Sequence, residues 1–266
     1  MSDHDKAEIK VHPDWKDEVT NPNGDTDLIA TTVTLVSSNQ VHFHVPRYLL
    51  MANSPVLKDM LSLPTTNKSQ KVELSDDALE SAASLAFYLS VLIGKDGKVT
   101  LEEGYKTRIV RTCHAAILLA VKWESALVLR GIAEALLSFN IPSSLEKHKE
   151  VRALDIFLLA HEGDMTAVAA TVLQTYEPNI GGGKPNPSHW GGYLFKEDLF
   201  KKEGSAFKLD YLNHDVWAQL GTDYIFALTK SQSDRNEDGI YRSISFANHL
   251  KDIRKAQKQS PLSKEE

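Results

Sequence analysis

Residues 41–64 read VHFHVPRYLLMANSPVLKDMLSLP, and the hydrophobic period changes inside this stretch. Alternation at Val41, Phe43 and Val45 makes a strand with one apolar face and sets His42 and His44 together on the other. After Pro46 the pattern turns helical. RYLLMAN and SPVLKDMLS read as two short helices, Ser54 capping the second and Pro55 sitting in its first turn, where a missing N–H costs nothing. Ahead of the stretch, Val33 and Leu35 alternate with threonines and SSNQ supplies a turn, so 31–45 is expected to be a β-hairpin. Its apolar face needs a cover, and the helices beginning at Pro46 are the expected one. A short strand, KVEL at 71–74, then puts Val72 and Leu74 on one face.

Beyond this strand the chain reads as helical. Ser75 is expected to cap a helix with Asp76 and Asp77 in its first turn, Leu79, Ala82, Ala86, Leu89 and Ile93 on one face, and Gly94 and Gly97 as its stop. YKTRIVRTCHAAILLAV and ESALVLRGIAEALLSF are the next two helices, the second ended by Pro142. A pair follows at 149–162 and 165–176, with Asp164 as the cap of the later helix. EPNIGGGKPNPSHWGG carries too much Gly and Pro for a regular element and reads as a linker. A helix near 210–230 (Trp217, Leu220, Tyr224, Leu228), a polar loop SQSDRNEDG and a helix near 240–255 complete the chain.

Composition limits the function classes. The 266 residues are 42% hydrophobic and 25% charged, enough for one large or two small cores. The net charge of −6, with both signs mixed along the chain, disfavours direct nucleic-acid binding. The charged start MSDHDKAEIKVHPDW and the absence of a long apolar window suggest a protein of the cytoplasm or nucleus with no membrane partner. Cys113 is the sole cysteine, which excludes an intrachain disulfide framework and a Cys-rich zinc site.

The order of elements resembles the BTB/POZ domain, and in particular fungal proteins of this type. Phe43, Val45, Arg47, Leu50, Ala52, Ser54, Pro55 and Leu57 fit the family's run of strand, His-Arg, apolar helix and Ser-Pro. MLSLP at 60–64 continues as fungal members often do, and Lys122-Trp123-Glu124 sits where such proteins carry a basic-aromatic-acidic turn. The resemblance implies an α+β fold, in which a small sheet of hairpin plus short strands is capped by a helical cluster and followed by an all-helical extension. The expected segments are an irregular lead-in at 1–26, the BTB/POZ-like domain at 27–140, a helical extension at 149–176, a linker at 177–192, a helical region at 193–256 and a tail at 257–266.

The implied function is protein–protein interaction, by an adaptor or scaffold that is not an enzyme and needs no cofactor. The family's dimer interface holds a charged pocket, and here its usual His is Pro46 and its usual Asp is Thr32. Arg47 is therefore left without its expected partner, and a weak homodimer is expected. Leu101-Glu102-Glu103 resembles the apolar-any-Glu pattern of some cullin adaptors, which makes a cullin a candidate partner through Leu101 and Glu103. Corepressor recruitment is the other use known in the family.

Rival chemistry is incomplete at each place. His42 and His44 lack a third metal ligand at a recognisable spacing. Asp234, Asn236, Asp238 and Gly239 fit the first half of an EF-hand calcium loop, but Arg242 and Ser245 stand where it needs a polar group and a bidentate Glu. GGGK at 181–184 is followed by Pro185 in place of the Ser/Thr of a phosphate loop. Cys113 and His114 are neighbours on a helix and so point about 100° apart, and His161-Glu162 lacks the second His of a zincin. A calcium-responsive or enzymatic helical protein is the alternative from another class.

Overall fold

The structure is a computed structural model that describes residues 10–16, 32–63, 70–140, 147–148, 151–176, 218–233 and 240–259. Two compact units divide the chain: residues 1–100 with 112–132, and residues 101–111 with 133–266.

The first unit is built on a four-stranded sheet of order β1-β3-β2-β4, from β1 (Lys10–Val11), β2 (Thr32–Val36), β3 (Val41–Pro46) and β4 (Gln70–Glu73). β2 and β3 form the expected hairpin in the register Val33↔Val45 and Leu35↔Phe43, so these four apolar side chains share one face and all are buried. Period two then sends Thr34, His42 and His44 to the other face, where they are half-buried. The turn is held by Ser37, whose hydroxyl accepts from the Val41 N–H at 2.9 Å and donates to Asn39 Oδ1, while Gln40 takes the left-handed conformation at φ 60. Asn39 Oδ1 also accepts from the Ala82 N–H, which ties the turn to the first residue of α3 (Ala82–Leu92).

α1 (Arg47–Asn53) and α2 (Pro55–Ser62) follow β3 as the sequence predicts, and Ser54 caps α2 by accepting from the Leu57 N–H at 3.0 Å. Leu50, Leu57 and Leu61 are buried. Pro46 differs from expectation in closing β3 rather than opening the helix; proline has no N–H to give the ladder, which suits a strand's last residue.

Four sequence readings need correction here. Residues expected to be an irregular lead-in contribute β1, parallel to β3, and a 3-10 turn at Pro13–Trp15 with Trp15 buried. A two-residue strand carries no period, so alternation could not show it. Ser75 caps no helix. Asp76 accepts from the Ala78 and Leu79 N–H groups, Glu80 accepts from those of Ser75 and Asp76, and these carboxylates close a separate turn. The helix starts seven residues later, at Ala82, with Ser81 as its cap. Its residues 84–92 are buried all round, which is why the single-face reading fails, and Ile93 is an exposed residue past its end. Gly94, at φ +81, does stop it, but Gly97 opens a further helix, α4 (Gly97–Gly104), whose Asp96 carboxylate accepts from the Val99 N–H.

α5 (Ile109–Lys122) and α6 (Ala126–Phe139) are joined by the Lys122-Trp123-Glu124 turn. Trp123 is buried edge-on to Tyr88 with ring centroids 5.0 Å apart, and its carbonyl accepts the Ser54 hydroxyl at 2.5 Å. Glu124 takes a left-handed φ of 51, and Lys122 reaches the buried Glu80 carboxylate at 2.7 Å. The Ser-Pro of α2 and the basic-aromatic-acidic turn are thus one packed assembly.

In the second unit, α7 (Ala153–Glu162), α8 (Thr166–Tyr176), α9 (Thr222–Ser233) and α10 (Ile240–Gln259) surround Phe157, Tyr224 and Phe246, whose ring centroids lie 5.5 to 5.8 Å apart. Asp164 does not cap α8. At φ 55 it ends α7 in the left-handed conformation, and its carboxylate pairs with Arg254. Arg254 also donates to Thr166 Oγ1 and lies over the Tyr224 ring, which joins α10 to α8 and α9. α9 lies inside the helix expected near 210–230, of which residues 210–217 lie outside the described residues, and α10 runs past 255 to Gln259. Trp217 and the 177–192 linker lie outside the described residues.

Candidate interaction surface

At the open end of the hairpin Thr32 and Pro46 are cross-strand partners, and Arg47 follows as the first residue of α1. All three are half-buried. The Arg47 guanidinium donates to the Leu61 carbonyl in the last turn of α2, where carbonyls have no partner inside the helix and a cation meets the negative end of the dipole. Among the described residues a backbone oxygen, and no carboxylate, pairs with this arginine. Two large apolar side chains on the same helix pair are exposed, Tyr48 beside Arg47 in sequence at 72% and Leu63 just past α2 at 64%.

The sheet's other face carries the opening histidines. Thr34 Oγ1 lies 3.2 Å from His44 Nδ1, and Lys71, the β4 partner of Thr34, pairs with Glu73 at 2.7 Å. Burial, with Lys71 and His44 adding to it, holds His42 below the ordinary imidazole value, while the Lys71 hydrogen bond holds Glu73 below the usual carboxylate range. No group of three or more metal-ligating side chains stands together among the described residues.

Residues 26–122 match the family model of the BTB/POZ domain. The BTB/POZ segment covers less than half of the chain and contains the whole β2–β3–α1–α2 arrangement, β4 and the helices α3 to α5. It is a small mixed sheet with a helical cluster, in an α+β fold whose C-terminal region is helical. No curated protein and no solved structure matches the chain.

In the second unit, Leu101 is fully buried and Glu103 exposed. Between them Glu102 lies 2.8 Å from His148 Nε2 and 3.8 Å from Lys147 Nζ. Asp234, Asn236 and Asp238 lie outside the described residues. Cys113 is buried and its thiol is pushed up to about 12 by that burial, as fits a core side chain rather than a nucleophile. Among the described residues no helix is long and apolar enough to cross a membrane.

Sequence reading missed the segment Lys10–Trp15. Its His12 stacks on Phe43 with centroids 4.8 Å apart, and the Trp15 side chain is buried. The signal available was His-Pro-Asp-Trp itself, a polar cap before proline followed by an aromatic anchor.

Proposed function

We propose that the protein acts by binding other proteins through its BTB/POZ segment, as an adaptor or scaffold, and that it self-associates weakly through the corner formed by Thr32, Pro46 and Arg47. The match of residues 26–122 to a family of interaction modules carries this reading. Tyr48 and Leu63 supply the exposed apolar area that such a contact buries. Arg47 limits its strength. Drawing a guanidinium that, among the described residues, is held by a backbone carbonyl into an apolar interface costs several kcal/mol without a carboxylate to meet it, so the dimer is concentration-dependent.

Light scattering across a dilution series tests this, with the mass expected to fall towards the monomer at nanomolar protein. A dimer that persists there shows that Arg47 finds an acid across the interface, and it overturns the weak-association reading. A cullin is the partner class that Leu101-Glu102-Glu103 suggests, with Glu103 the most exposed member of the triplet. Affinity purification and mass spectrometry decide it: recurrent recovery of a cullin, lost on Glu103→Ala, supports the adaptor reading, and recovery of other proteins alone removes it.

A further inference from the structure

We propose that Lys10–Trp15 is a displaceable strap, an intramolecular ligand on the free edge of β3 whose place can be taken by an extended peptide carrying an apolar residue two before a proline and a tryptophan two after it. The pairing is short. Among the described residues Lys10↔Val41 and Val11↔His42 are its two rungs, both parallel, and a further backbone bond runs from the His12 N–H to the His42 carbonyl at 2.9 Å. Parallel pairing is the weaker kind, and two residues of it do not hold a strand by themselves.

Attachment therefore rests on side chains. Trp15 is buried, at 8% exposure, and His12 stacks on Phe43 at an interplanar angle of 18°. Pro13 and Asp14 are exposed, and at the rim, among the described residues, Asp14 meets Lys95 at 3.4 Å, between two half-exposed side chains. One buried aromatic anchor, a stacked ring and a few main-chain bonds to a strand edge are the components with which sheet edges receive extended peptides. The segment Val11-His12-Pro13-Asp14-Trp15 thus displays the chemistry of the ligand this edge accepts.

The edge has a built-in reason to be regulated. A segment tethered in cis competes at a local concentration on the order of millimolar, so a partner binds well only when its own anchor is better or when the strap is weakened. His12 adds a proton dependence. Its Nδ1 accepts from the Asp14 N–H at 3.3 Å, which needs the neutral ring, and burial against Phe43 keeps the imidazole below its ordinary value, with Asp14 opposing and Lys95 assisting. These contacts lie within the first unit and do not depend on the self-association reading.

A fluorescein-labelled peptide of sequence KVHPDWK, added to the full-length protein and followed by anisotropy, tests the strap. Trp15→Ala in the protein should raise its affinity for the peptide by at least about tenfold, because the tethered competitor loses its anchor. The same peptide with alanine for tryptophan should not bind. A Trp15→Ala protein that keeps its far-ultraviolet circular dichroism and binds the peptide no more tightly than the unaltered protein overturns the proposal. Should that variant not fold, hydrogen exchange on the unaltered protein decides: the His12 amide is expected to exchange at least about a hundredfold faster than those in the β2–β3 ladder, through local opening. Equal protection overturns it. If peptide binding converts a dimer to monomers, the natural occupant is the strap of a second copy, and the assignment in cis is overturned.

Discussion

Leu50 in α1 is fully buried, as are Phe43 and Val45 on the apolar face of the hairpin. Truncating it to alanine removes that transfer energy and leaves a cavity, so Leu50→Ala should lower stability by about 2–5 kcal/mol, read as a fall in the denaturant midpoint at unchanged slope. Arg47 behaves differently, since its interaction is a hydrogen bond to a helix-end carbonyl. Arg47→Ala should cost about 1 kcal/mol or less of stability and leave self-association unchanged or stronger, because an arginine that no carboxylate meets is removed from the contact. Light scattering of the variant beside the unaltered protein checks this. For His42 and His44, replacement of both by glutamine should leave the midpoint near that of the unaltered protein; stoichiometric zinc lost on that change would restore the metal reading.

Between elements, the tightest described approach is that of α6 to α3. A Cβ on Gly131 would stand 2.5 Å from Val91 Cγ1. Valine has little rotameric freedom in a helix and Val91 is buried, so the clash is not relieved by a side chain swinging aside. Gly131→Ala should therefore destabilise by about 1–3 kcal/mol although alanine favours the helix by about 1 kcal/mol. Val91→Ala in the same chain should recover part of the loss; additive losses would show that the strain lies elsewhere. The strap is the other element with a predicted response. Because the folded state holds His12 below 6.5, its ordinary value, the unfolded or opened state binds more protons once pH falls below that value. Strap closure should be at its strongest above about pH 6.5 and weaken as pH falls through the lowered folded value. Hydrogen exchange at the His12 amide, corrected for intrinsic rate, should show protection lost towards pH 5, and His12→Gln should flatten the profile.

Over the whole molecule, the two units are differently constructed. A sheet and its helical cover make the first, with polar turns closed by Ser37, Asp76 and Glu80; helices packed on Phe157, Tyr224 and Phe246 make the second. In the second unit Arg254 joins three helices through Asp164, Thr166 and the Tyr224 ring. Arg254→Ala should destabilise by about 1–3 kcal/mol, since it leaves the Asp164 carboxylate and the packed ring without their common partner. A thermal melt in low and high salt measures it, and an effect abolished by salt would reduce the contact to an exposed ion pair.

Much of the BTB/POZ segment was legible because its signals are local. Alternation fixed the hairpin's buried face, Ser54-Pro55 fixed the start of α2, and the run from Phe43 to Leu57 carried the resemblance. At the candidate corner, the sequence leads us to expect that Arg47 lacks the acid the resemblance places at position 32, where Thr32 stands. Where Arg47 goes instead was decided by tertiary structure, because the Leu61 carbonyl is brought to it by the packing of α2 against α1 and no spacing encodes that. Caps at Ser75 and Asp164 were misread for a related reason. A carboxylate or hydroxyl before an apolar run has equal local claim to cap a turn or a helix, and the choice falls to long-range partners: Glu80 with Lys122 in one case, Arg254 in the other. The strap lay furthest from view. Two residues have no period, and Val11, His12 and Trp15 acquire meaning only when the fold sets the β3 edge and the Phe43 ring beside them.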